Sequence, residues 1–123
     1  MKKEKGTIVD EVSVAGNREL CGIALDLIHA DNSSSKLMSL ATIILAPKER
    51  SKLHYHKKMD EMYYFVSGEG RVLLEESWRE VRSGTAVFIP KRVIHQIDNT
   101  GDVPLKLISV DTPPFDTKDI YYP

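Results

Sequence analysis

Beyond residue 36 the chain is a succession of short apolar runs, each closed by a turn signal. Residues 37–46 are apolar and rich in β-favouring types, and Pro47 stops them. Residues 62–67, Met-Tyr-Tyr-Phe-Val-Ser, are strongly β in propensity. Gly68-Glu69-Gly70 follows as a turn and residues 71–75 return as a strand, which predicts a hairpin. Residues 78–82 alternate, Gly84 marks a turn, and residues 86–89 run apolar into Pro90. Residues 93–98 alternate in part, Asn99-Thr-Gly-Asp102 is a turn, and residues 105–110 make a last long apolar strand. Pro113-Pro114 cannot continue a central strand, because proline has no backbone donor. Many short strands with turns roughly every 8 to 12 residues predict an all-β sandwich or barrel of antiparallel strands.

The N-terminal third is less decided. Ile8, Val12 and Val14 alternate in part and predict a short strand within residues 7–14. In residues 18–29, Leu20, Ile23, Ala24, Leu27 and Ile28 recur at helical spacing, while Leu25 and Leu27 alternate around Asp26. Periodicity leaves helix and strand both open there. Asp31-Asn-Ser-Ser-Ser35 is an exposed turn.

Composition bounds the function classes. A chain of 123 residues holds one domain. With 17 basic and 18 acidic side chains the net charge is −1, which argues against nucleic acid as the main partner. The single cysteine, Cys21, excludes an intrachain disulfide and a Cys-rich zinc site, and it reads as a buried structural thiol. No apolar stretch is long enough for a signal peptide or a membrane span, so the expected location is the cytoplasm, with no membrane partner.

The chemistry lies in the order of the histidines. His54-Tyr55-His56 places two imidazoles on one side of an extended segment. Four polar or flexible residues later comes Glu61, at the start of the next strand, and His95 starts a later one. In a closed barrel these four can meet. Three imidazoles and a carboxylate suit a first-row transition metal, with positions left open for a small molecule.

The spacing resembles the cupin superfamily. Its first motif reads Gly, five residues, His-X-His, three or four residues, Glu, six residues, Gly; here His54, His56, Glu61 and Gly68 keep those intervals. Its second reads Gly, five residues, Pro-X-Gly, two residues, His, three residues, Asn; here Gly84, Pro90, His95 and Asn99 keep them. Fifteen residues, 69–83, separate the motifs, as in compact single-domain cupins. Two glycines are replaced, by Lys48 and by Arg92.

The resemblance implies a double-stranded β-helix, or jelly-roll, barrel over residues 18–119, behind an N-terminal arm and first strand over 1–17 and ahead of a tail over 120–123. It implies strand for residues 18–29. It also implies one divalent transition metal on His54, His56, Glu61 and His95, with iron or manganese ahead of zinc or nickel, and a homodimer joined through the N-terminal strands. A small anionic or oxygenated molecule would be the partner. The activity expected is dioxygenase, oxalate-type or sugar-isomerase-like chemistry, with a non-catalytic metal-dependent binding or sensor module as the alternative. Tyr63 shares the face of Glu61 and is the candidate catalytic side chain. Arg92 would sit near the barrel mouth, and His29 would be structural.

Overall fold

The computed structural model describes residues 5–20 and 22–123; the readings of Cys21 and of the chain before Lys5 fall outside them. Among the described residues eight strands form: β1 (Ile23–Ile28), β2 (Ser39–Leu45), β3 (Asp60–Ser67), β4 (Glu69–Leu74), β5 (Ser77–Arg82), β6 (Ala86–Ile89), β7 (His95–Asp98) and β8 (Leu105–Thr112). They build a five-stranded sheet in the order β1-β2-β8-β3-β6 and a three-stranded sheet in the order β5-β4-β7, with antiparallel pairing throughout. This is the expected jelly roll, two sheets facing each other over one core. No helix among the described residues is long and apolar enough to cross a membrane.

Alternation along the strands makes the core. On β3, Glu61, Tyr63 and Phe65 point inward and are at most 5% exposed, while Met62, Tyr64 and Val66 face out and are at least 40% exposed. Leu45, Leu105, Leu107, Val72 and Ile97 meet Phe65 between the sheets. Burial of each such side chain contributes roughly 1.5–3 kcal/mol. Residues 23–28 are strand, as the motif match implied and helical spacing did not: β1 pairs with β2 at both ends, with a register shift between Asp26 and Ile28.

Two local expectations are corrected. Residues 7–14 do not make a strand. A short 3-10 turn, Glu11–Ser13, takes their place. Glu11 is pinned sideways, accepting from Thr42 Oγ1 at 2.7 Å and from Lys106 Nζ at 3.0 Å. These side-chain bonds to β2 and β8 hold the segment without a strand ladder.

The hairpin at residues 68–70 is the second correction. β3 pairs with β6 and β8, and β4 with β5 and β7, so Gly68 is a corner that carries the chain from one sheet to the other. Its φ of 86° and the Pro104 carbonyl, 2.5 Å from where a Cβ would stand, both require glycine. The tight hairpin is instead β4–β5.

The two missing motif glycines leave their turns intact. Lys48 and Arg92 adopt φ of 66° and 71°, the left-handed conformation a glycine would take freely. Asn99 is fully buried and organises its turn. Its Nδ2 donates to the carbonyls of Leu45, Ala46 and Val103, and its Oδ1 accepts from Gly101 N.

Candidate metal centre

The segment before β3 brings the first two imidazoles to the gap between the sheets. His54 and His95 form an isolated antiparallel bridge, with His95 N donating to His54 O at 2.9 Å and the reverse bond at 3.2 Å. This backbone pair puts their rings side by side, tilted by 57° with centroids 4.3 Å apart. His56, two residues on, turns to the same side, 5.0 Å from His54 and 5.4 Å from His95. Glu61 enters from the facing sheet, and its Oε1 lies 3.0 Å from both His56 Nε2 and His95 Nε2. All four side chains are buried, and one donor atom from each lies within 4.8 Å of the others.

The tautomers follow from the outer nitrogens. His54 Nδ1 donates to Lys52 O at 2.8 Å, His56 Nδ1 to Asp119 O at 2.6 Å, and His95 Nδ1 to Val93 O at 2.9 Å. A carbonyl can only accept, so each Nδ1 carries the hydrogen and each neutral ring aims an Nε2 lone pair inward. Nε2 of His56 and of His95 and Oε1 of Glu61 are buried without a hydrogen-bond partner. Three imidazoles fixed through their far nitrogens, facing a carboxylate, are the donor arrangement that a divalent metal completes.

The charges fit that use. Burial, followed by the neighbouring His95, pushes His54 down to about 4, so its ring stays neutral. Burial would lower His56 too, but the Glu61 carboxylate outweighs it and raises the group. Burial works against ionisation of Glu61, yet the adjoining His56, His95 and Asp111 side chains hold its carboxyl well below the usual range.

Several residues of the site carry no motif signal. Asp111 stands directly opposite Glu61 in the β3–β8 register. Burial and the Glu61 charge push it up to about 10, so it is a carboxylic acid at neutral pH. Ser109 donates to Glu61 Oε2 at 3.4 Å. Asp119 is buried, and its carboxylate accepts from the backbone N–H of Lys57, Lys58 and Met59 at 2.9 to 3.2 Å. It thereby shapes the loop that leads from His56 to Glu61. Nothing in the local sequence distinguishes Asp111 and Ser109, whose place depends on register; Asp119 closes the tail segment 113–119 that the resemblance covers, and its contacts depend on how that tail docks.

A cavity of about 140 Å³ opens beside the cluster, lined by His54, His56, Glu61 and Tyr63 together with Asp26, Ser109 and Asp111. Tyr63 is 3% exposed, with its ring edge-on to His95 at 6.3 Å. Phe115 also lines the cavity, edge-on to His56. The Arg92 side chain is exposed and does not line it. His29 lies outside the cluster, on the exposed turn after β1, where its Nδ1 accepts from Asp31 N.

With four donors on this barrel at these intervals, the match to known proteins is direct. A model of the cupin domain family matches residues 41–111, more than half of the chain. The chain belongs to the cupin family. A cupin relative, the uncharacterized protein MJ1618 of Methanocaldococcus jannaschii, is 33% identical over 97 residues, 79% of this chain and 78% of its own. The glucose-6-phosphate isomerase of Thermococcus onnurineus is 33% identical over 86 residues, but those cover 59% of this cupin and 46% of the isomerase. Among solved structures, the polyketide cyclase RemF of Streptomyces resistomycificus superposes with a TM-score of 0.80 over 96% of this chain and 85% of its own, at 18% identity. At that identity the likeness is one of fold.

Proposed function

We propose that this cupin is a small-molecule metalloenzyme, with one divalent transition metal held by His54, His56, His95 and Glu61. The observation that carries the reading is the set of inward Nε2 lone pairs, each backed by an Nδ1–H bond to a backbone carbonyl and facing the Glu61 carboxylate. A mixed imidazole–carboxylate set with no thiolate favours iron or manganese, and admits zinc or nickel. Bound there, the ion supplies Lewis-acid polarisation of a ligand oxygen or, as iron, dioxygen activation.

The protein's own groups have narrower tasks. Asp111, protonated at neutral pH and directly opposite Glu61, can give a proton at its carboxyl. Tyr63 stands inside the cavity and can offer its hydroxyl to a ligand oxygen. Phe115 and the apolar wall of Ala24, Ala41 and Ile43 keep bulk water away. Dioxygenase, oxalate-type and sugar-isomerase-like chemistries all use such a site. Screening the metal-loaded protein for oxygen uptake and isomerisation tests the reading, with Tyr63→Phe expected to keep the metal and lose at least tenfold in turnover. Silence across the screen together with tight binding of one molecule leaves a binding module instead.

The protein is further proposed to work in the cytoplasm and as a homodimer. Ile8 and Val12 are 94% and 95% exposed, and Met62, Tyr64 and Phe88 are at least half exposed. These apolar side chains are the surface that a second copy would cover. Light scattering at twice the mass of one chain is the expected result.

A further inference from the structure

Resting on the metal reading above, we propose that the molecule this site accepts meets the metal through oxygen and carries no negative charge at its other end. It is a hydroxyl- or carbonyl-bearing compound, neutral or amine-bearing, and not a phosphate ester or a dicarboxylate, which sets aside the oxalate-type reaction among the chemistries proposed above.

The walls of the cavity carry the inference. Among the described residues that line it there is no lysine or arginine, while Glu19 and Asp26 line it, apart from the metal-facing Glu61. Arg18, between the lining residues Asn17 and Glu19, is paired with Glu49. Arg50 and Arg71 bind Asp98 on the outer face of the small sheet, and Lys57 lies over the Tyr121 ring. A wider vestibule shares Asp26, Ala41 and Phe115 with the cavity, and it sets Asp31 and Asp116 against Lys36 and His29. A divalent ion facing the Glu61 carboxylate keeps one positive charge, which one ligand anion at the metal neutralises. A second anionic group would be taken out of water with no cation to receive it.

The geometry says where that second group would lie. Asp26, Ala41, Ser109 and Tyr63 form one row across β1, β2, β8 and β3. Three strand spacings separate its ends, roughly 14 Å along the backbone. The small side chains of Ala41 and Ser109 in mid-row leave the space between. Tyr63 closes the end beside the imidazoles, and Asp26 closes the other. The Asp26 carboxyl accepts from Asn17 Nδ2 at 3.2 Å, so the distal end presents an acceptor and an amide but no cation.

Three probes share one metal-binding diol and differ only at the far end: catechol is neutral there, 3,4-dihydroxybenzoate anionic and dopamine cationic. Zinc-loaded protein, the ion being redox-silent, is titrated with each at neutral pH by calorimetry, after its zinc content has been measured. Catechol and dopamine are expected to bind at least tenfold more tightly than dihydroxybenzoate. Asp26→Asn should shrink the gap to less than threefold, and Asp26→Lys should reverse it, both variants keeping the wild-type zinc content. Dihydroxybenzoate binding as tightly as catechol, no binding of any probe to zinc-loaded protein, or a preference unchanged in both Asp26 variants would overturn the proposal while leaving the metal reading standing. A chain that takes up no zinc fails at the first measurement, and the metal reading falls with it.

Discussion

The Nδ1–H of His56 is bonded to the main-chain carbonyl of Asp119, 2.6 Å away and 63 residues along the chain. The same Asp119 gathers three consecutive backbone N–H groups with its carboxylate. One C-terminal residue thus orients an imidazole and also shapes the loop that delivers Glu61.

Asp119→Ala should therefore act on the metal more than on the barrel. Buried N–H groups left without an acceptor cost about 1–3 kcal/mol each when water cannot replace the partner. The loop after His56 would rearrange to reach solvent, and metal affinity is expected to fall at least tenfold, the scale on which outer partners of metal ligands act. Competition with a chromogenic chelator measures it, and an unchanged affinity would contradict the role. Asp119→Asn keeps one acceptor oxygen and should lie between.

The pH dependence has two parts with defined signs. A metal needs each Nε2 free of its proton, and the Glu61 carboxylate raises His56 despite its burial. Metal affinity should therefore begin to weaken at a pH above the ordinary histidine value of about 6.5, and weaken further on acidification. In metal-free protein His54 works on stability. Its folded value of about 4 lies below the unfolded one, so the neutral form is favoured by folding. That contribution is complete above about pH 6.5 and is lost as pH falls towards 4, about 3 kcal/mol across the window. His54→Leu should remove this part of the acid destabilisation, as read from urea midpoints at pH 7 and pH 4.5.

Arg92 pays for a turn that glycine would make at lower cost. Its left-handed φ of 71° is unfavourable by roughly 1–2 kcal/mol for a residue with a Cβ, part of which glycine's greater unfolded freedom offsets. Its side chain is exposed and outside the cavity, while its N–H still donates to the His56 carbonyl at 2.6 Å. Arg92→Gly is expected to stabilise the protein by about 0.5–1 kcal/mol with metal content unchanged. A lower melting temperature would contradict this.

What the sequence made legible was local. Strand runs bounded by Pro47, Gly84 and Pro90 appear where alternation and turn chemistry place them. The intervals among His54, His56, Glu61 and His95 are short enough for motif spacing to hold them, and all four converge. Gly68 was legible as a turn but not as a corner, because turn chemistry does not say whether the next strand pairs backwards or crosses to the other sheet. Asp26, Asp111 and Asp119 reach the site through cross-strand register and C-terminal docking, which single-residue patterns do not encode. Residues 7–14 alternate like a strand, yet Glu11 ties them across the sheet by its side chain instead.

The central claim is that these four side chains form one metal site, and metal content tests it most directly. Protein dialysed against manganese or ferrous iron and then against buffer should retain about one ion per chain. The double variant His54→Ala, His95→Ala should retain none while keeping its β-sheet circular dichroism. Full occupancy in that folded double variant, or a wild-type protein that holds no metal, would contradict the account.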